Sequence, residues 1–119
     1  MKKTTDVLTL LFAAAAALCD KKGADVAAYD LRDISSLTDY AVVATGMNGP
    51  HLKALANETR MAMKALNAPC VGRSGEPDSG WIVSDYIDLV VHVMLRETRA
   101  YYDLDALWAK APRIQLPAC

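Results

Sequence analysis

The chain has 119 residues, with 13 Lys and Arg against 14 Asp and Glu and a pI near 6.0. This length suits one domain around one hydrophobic core, and no apolar run approaches the ~18 residues that a membrane span needs. A near-neutral balance also argues against non-specific nucleic-acid binding, which takes a basic face to neutralise phosphates.

The first predicted element is a helix over residues 4–22. Leu8, Leu11, Phe12, Ala15, Leu18 and Cys19 recur at helical spacing. Thr4, Thr5 or Asp6 suits its start, and Lys21, Lys22 and Gly23 suit its end. The basic Met1-Lys2-Lys3 followed by an apolar run resembles a signal peptide. However, Asp6 interrupts the run, and Cys19-Asp20-Lys21-Lys22 offers no cleavage context. A retained helix in a cytoplasmic protein is therefore expected, and its alanine run at 13–17 implies close approach to a sheet.

Strands follow at 26–31 and 40–45. The second is apolar on both faces, as a covered central strand is. After the loop Gly46-Met47-Asn48-Gly49, Pro50 opens a helix over 51–67, with Leu52, Leu55, Ala56, Thr59, Met63 and Leu66 on one face. A weak edge strand is expected at 70–72, then a turn-rich loop over 73–80. Residues 81–86 and 89–95 read as an antiparallel hairpin with a tight connection at Ile87-Asp88. A short turn or helix at 97–102 precedes a last helix over 104–110. Asp103 would cap this helix, and Leu104, Leu107 and Trp108 would face the core. The expected organisation is a single α/β domain over 1–111, with a mixed sheet of about five strands flanked by helices, and a loose tail over 112–119.

Cys19, Cys70 and Cys119 are far apart and form no C-x-x-C pair. Neither a zinc site nor a dithiol motif is supported. Reduced thiols are expected, with Cys119 exposed and able to oxidise between molecules.

Enzyme readings have few candidates. The alternative function is a magnesium-dependent nucleotidyl- or phosphoryl-transfer enzyme using Asp39, Asp85 or Asp88, but Asp85 and Asp88 are three residues apart and point to opposite sides of an extended strand unless the turn reorients them. No nucleophile has the flanking pattern of a nucleophile elbow. The loop Thr45 to Pro50 lacks the lysine and glycine spacing of a phosphate loop. His51 sits at a helix start, where a histidine without a role is the common case. His92 lies in an apolar strand, where a buried neutral histidine is commoner than a catalytic one. No cofactor, metal or catalytic residue is expected.

The segment from Gly75 to Asp105 is the distinctive one. It carries Glu76, Asp78, Asp85, Asp88, Glu97, Asp103 and Asp105 against Arg96 and Arg99 alone, with Trp81, Tyr86, Tyr101, Tyr102 and Trp108 in or beside it. Local negative charge among aromatics suits a surface that meets a basic partner. Two readings of Trp81 stand side by side, core packing and a half-exposed anchor on a docking face.

The strings Ser35-Ser36-Leu37-Thr38-Asp39-Tyr40, Ala44-Thr45-Gly46, Gly80 to Tyr86, Asp88 to Met94 and Tyr101 to Trp108 stand in fixed order. Together they resemble the ribosomal silencing factor family, also called Iojap-like, over about residues 6–111. The resemblance implies a small α/β protein with nucleotidyltransferase-like topology but no catalytic apparatus. It implies docking on the large ribosomal subunit through ribosomal protein L fourteen, which blocks joining of the small subunit and lowers translation in scarcity. It further implies homodimers in some members, an assembly role in organellar relatives, and no sequence-specific nucleic-acid binding. The residues matching its motifs are Thr38, Asp39, Tyr40, Trp81, Asp85, Asp88 and His92. Glu97, Arg99 and Tyr102 join them as expected partner-binding residues from the acidic, aromatic segment. Two positions depart from the pattern. Ile87 stands where a glycine is usual, and Met47-Asn48-Gly49-Pro50 replaces a loop with an early serine.

Overall fold

The computed structural model describes residues 6–119. Its helices are α1 (Val7–Asp20), α2 (Gly49–Ala65), α3 (Arg96–Tyr102) and α4 (Leu104–Leu107). Its strands are β1 (Ala24–Asp30), β2 (Tyr40–Gly46), β3 (Gly72–Glu76), β4 (Trp81–Asp85), β5 (Leu89–Leu95) and β6 (Arg113–Ile114). They form one mixed sheet in the order β3-β4-β5-β2-β1-β6, in which β2 and β5 run parallel and the other neighbours antiparallel.

α1 and α2 pack side by side on one face of the sheet. Leu11, Ala14 and Leu18 of α1 and Leu52, Leu55 and Met63 of α2 meet Val42, Ala44, Leu89, Val91 and Val93 there. The small residues of α1 bring its backbone close to the strands, as the alanine run implied, whereas Phe12 sits at the rim, partly exposed. Burying a leucine or valine side chain fully contributes about 1.5–3 kcal/mol, so this layer supplies most of the hydrophobic stabilisation. Asn48 caps α2 by accepting from the His51 N–H at 2.9 Å. Of the residues expected to cap α1, Thr4 and Thr5 lie outside the described residues, and Asp6 holds the cap position without a side-chain bond.

The opposite face is covered only in part. Leu104 and Trp108 pack there against Ala27, Tyr29, Ala41, Val43 and Met94, at the β1–β2 side.

Four expectations are corrected. Residues 73–76 are not loop but the body of β3, whose five residues are all exposed. The expected edge strand at 70–72 therefore begins only at Gly72. In β3, Gly75 has φ +82°, and a Cβ there would stand 2.0 Å from the Trp81 carbonyl oxygen. The expected loose tail contributes β6, which pairs Ile114 with Ala28 and Arg113 with Tyr29. Cys119 and Cys19 form an intramolecular disulfide, which leaves Cys70 as the free thiol. Leu107 points to solvent and is 69% exposed, because α4 ends after one turn.

Candidate functional site

The sheet register builds the uncovered face. Trp81 lies opposite Met94, Val83 opposite His92 and Asp85 opposite Val90. Side chains alternate along a strand, so Trp81, Val83 and Asp85 share a face with Val90, His92 and Met94, while Ile82 and Ser84 turn toward α2. Across β5 the same face continues through Ala41 and Val43. Helices α1 and α2 do not reach it, and α4 covers only its β1–β2 end.

What results is an open groove of about 390 Å³. Val83, Val90 and Ala41 line its floor, Trp108 and Leu37 its margins, and Asp85 supplies a carboxylate. Leu37 is 90% exposed. Aromatic rings extend the surface. Trp81 packs on Tyr102 with centroids 4.8 Å apart, and Tyr102 meets Tyr101 edge-on at 5.0 Å. His92 lies between Trp81 and Trp108, at 6.0 and 5.6 Å.

Trp81 is half-buried, and its indole N–H donates to Nδ1 of His92 at 3.2 Å. This bond makes Nδ1 the acceptor, so the neutral ring carries its proton on Nε2. Burial pushes the His92 pKa down to about 4, which keeps the imidazole uncharged at neutral pH. Trp81 is therefore part core and part surface. One edge of the indole is tied down, and the ring packs on the exposed Tyr102.

The hairpin turn beside the groove is tight. The Asp88 N–H donates to the Tyr86 carbonyl at 3.1 Å, and the Ile87 N–H donates to Asp85 Oδ1 at 2.8 Å. Ile87 takes φ +76° to close this three-residue turn. A glycine would adopt that conformation without strain.

The expected site residues do not all gather here. Asp85 and His92 line the groove, and Trp81 stands beside it, bonded to His92. Asp88 lies exposed in the hairpin turn, and its carbonyl accepts from the Tyr40 N–H at 3.1 Å. Thr38 lines the groove, with its hydroxyl donating to the Tyr40 carbonyl at 3.3 Å, and the Asp39 carbonyl accepts from the Leu31 N–H. Tyr40 is 5% exposed in the helix-side core, with the Arg32 guanidinium over its ring, so it presents no docking surface. Glu97 is exposed in the first turn of α3, and Tyr102 is exposed against Trp81.

Arg99 is turned inward, its side chain 13% exposed. It holds Asp105 through two bonds of 3.0 Å and donates to the Asp25 carbonyl at 2.8 Å and the Thr45 hydroxyl at 3.0 Å. Tyr29 completes the cluster by donating to Asp105 at 2.5 Å. Arg99 holds the Asp105 carboxyl below the usual carboxylate range, although burial opposes it. The expected acidic wall is thus thinner than its sequence count, since Asp105 is spent internally and Asp103 caps α4 by accepting from the Ala106 N–H.

Reasoning from sequence missed Val83, Val90, Ala41, Leu37 and Trp108 as groove residues. Their apolar character reads equally as core, and only the incomplete cover by α4 sets them apart. Among the described residues, no group of three or more His, Cys, Asp and Glu side chains is placed to hold a metal ion, and no helix is long and apolar enough to cross a membrane.

Residues 4–119 match the profile of a family described as ribosomal silencing factor during starvation. The chain is similar to the ribosomal silencing factor of Chromobacterium violaceum, with 41% identity over 77% of this chain and 75% of that protein. It also resembles the crystal structure of a protein from the same organism, with a TM-score of 0.85, 36% identity and coverage of 96% of this chain and 92% of that one. A mouse protein named mitochondrial assembly of ribosomal large subunit protein 1 is 34% identical over 60% of this chain and 32% of its own length. The profile spans nearly the entire chain and the sheet superposes on a solved relative, so the chain belongs to the family of ribosomal silencing factors.

Proposed function

We propose that the half-open sheet face around Trp81 docks on the large ribosomal subunit, through ribosomal protein L fourteen, and keeps the small subunit from joining. Blocking is steric, because two bodies cannot occupy one surface, and no bond is made or broken. The protein acts without catalysis.

The observation that carries this reading is an apolar groove on the side of the sheet that α1 and α2 leave free, lined by the Asp85 carboxylate and by His92, which the half-buried Trp81 adjoins. A tryptophan anchor with exposed tyrosines beside it is the make-up of an interface hot spot. Asp85, Asp88 and Glu97 add negative charge that steers a basic ribosomal protein and sets register. About 800 Å² per partner suffices for a specific complex. The family description and the large-subunit name of the mouse relative support the choice of partner.

The test is sucrose-gradient co-sedimentation of the purified protein with separated subunits, followed by a subunit-joining assay. Association with the large subunit alone, together with fewer joined ribosomes, is the expected result. Failure to associate at moderate salt overturns the proposal. Joining that proceeds unhindered with the protein bound removes the silencing step and favours an assembly role. Charge reversal at Asp85 and Asp88 weakens association, more so at low salt. Self-association through the same groove is the competing occupant. It is recognised by a dimer on gel filtration that dissociates when the subunit is added.

A further inference from the structure

A second depression lies on the helix side of the sheet, across the edge strand from the aromatic groove. It runs between the C-terminal half of α2 and the segment entering β3, with a volume of about 530 Å³. Gly72 borders both depressions, so β3 is the wall between them.

Arg60 and Lys64 of α2 and Arg73 of β3 line this cleft, with Met61 and Val71 exposed among them and no carboxylate on the lining. Like charges four residues apart on a helix cost about 0.2–0.5 kcal/mol. Lys64 recovers part of this cost at the negative end of α2. The Arg73 guanidinium donates to Asn57 Oδ1 at 3.1 Å. Among the described residues, none of the three cations stands within ion-pair distance of a carboxylate.

A buried phenol lies near the cleft without forming part of its lining. Tyr86 is 5% exposed, and its hydroxyl has no hydrogen-bond partner among the described residues. The side chains that act on the phenol are Cys70, Arg73, Ser84 and Arg60, three of which line the cleft. A buried hydroxyl left unpaired costs about 1–3 kcal/mol. Burial pushes this phenol up to about 12, so it stays a donor at physiological pH. Three cations on one lining with no carboxylate among them call for an acceptor oxygen that carries negative charge.

We propose that this cleft seats the phosphodiester backbone of single-stranded RNA, with Arg60, Lys64 and Arg73 on phosphate oxygens and Met61 and Val71 against the sugar and base. Arginine forks match phosphate oxygens in pairs. Alternating cations and apolar atoms fit a strand that alternates charge with flat apolar rings better than they fit a lone anion. No aromatic ring lines the cleft, so base stacking is absent and recognition is independent of sequence. The near-neutral charge of the whole chain concealed this patch. The inference does not depend on which protein the opposite groove takes.

Fluorescence anisotropy of the full chain with a short labelled oligouridylate, free of ribosomes, tests it separately from the docking proposal. Three phosphate contacts give a slope of about −2 in log affinity against log salt. Arg60→Glu combined with Lys64→Glu lowers affinity about tenfold or more. Lys110→Glu, away from the cleft, leaves it within about twofold. A slope near zero, or affinity unaffected by reversing the two α2 cations, overturns the proposal. Inorganic phosphate that competes as well as the oligonucleotide, mole for mole, also overturns it and reduces the cleft to a simple anion site.

Discussion

The indole N–H of Trp81 and Nδ1 of His92, 11 residues apart in the chain, are joined at 3.2 Å across the β4–β5 pair. This bond fixes the Trp81 ring and specifies a neutral imidazole, which makes this face of the sheet sensitive to acid.

The sign of that sensitivity follows from the two pKa values. His92 titrates near 6.5 when unfolded and near 4 when folded. Its contribution is fully present above 6.5 and is lost as pH falls toward 4, for at most about 3 kcal/mol. Asp105 and Asp30, whose carboxyls are lowered from 3.8, lose their contribution only below that window. Urea denaturation between pH 7 and 4 should therefore show a falling midpoint, and His92→Gln, which keeps a polar partner for the indole, should flatten it.

Ile87 holds φ +76° in the hairpin turn. A β-branched residue in the left-handed region is strained by about 1–2 kcal/mol. Its side chain is exposed, so little packing is lost on removal. Ile87→Gly is expected to raise stability by about 1 kcal/mol, after the added flexibility of the unfolded chain is counted. A lower melting temperature would contradict this.

Arg99 joins α3, α4, β1 and β2 through Asp105, the Asp25 carbonyl and Thr45. Arg99→Met leaves the partly buried Asp105 without its cation and should cost about 2–3 kcal/mol. Tyr29→Phe removes one bond to the same carboxylate and should cost about 1 kcal/mol. The two losses should not add, since both act on Asp105. A double-mutant cycle measured by chemical denaturation checks this.

The disulfide joins residues separated by 100 positions. Constraining so long a span in the unfolded chain contributes about 2–4 kcal/mol. Cys19→Ser with Cys119→Ser should lose that amount. Thiol titration of the denatured, unreduced protein should find Cys70 alone, and all three cysteines after reduction.

What was legible in the sequence follows from how each element is stabilised. β2, apolar on both faces, and the β4–β5 hairpin were legible because their burial is written into consecutive residues. The buried stripe of α2 was legible from its period. β3 was not, because Gly-Arg-Ser-Gly-Glu at an exposed edge has no apolar alternation and is held by backbone bonds to β4. β6 is two residues long and depends on β1. No local signal pairs Cys19 with Cys119. The sequence offers Trp81, Asp85 and His92 as candidates, and the structure places Asp85 and His92 on one groove with Trp81 beside His92, but the groove itself was not legible, since Val83 and Val90 differ from core valines only in what fails to cover them. The family resemblance placed Tyr40 in the site. Packing beneath α1 and α2 removes it.

The most direct measurement is the affinity of the large subunit for surface variants of the groove, read by co-sedimentation. Leu37→Asp alters a side chain that is 90% exposed and leaves the fold unchanged, while Trp81→Ala removes the anchor. The account predicts that each weakens binding about thirtyfold, the scale of a 2 kcal/mol hot spot, while Phe12→Ala on the α1 side has no effect. Full binding by both groove variants, or loss of binding with Phe12→Ala alone, would place the docking surface elsewhere on the molecule.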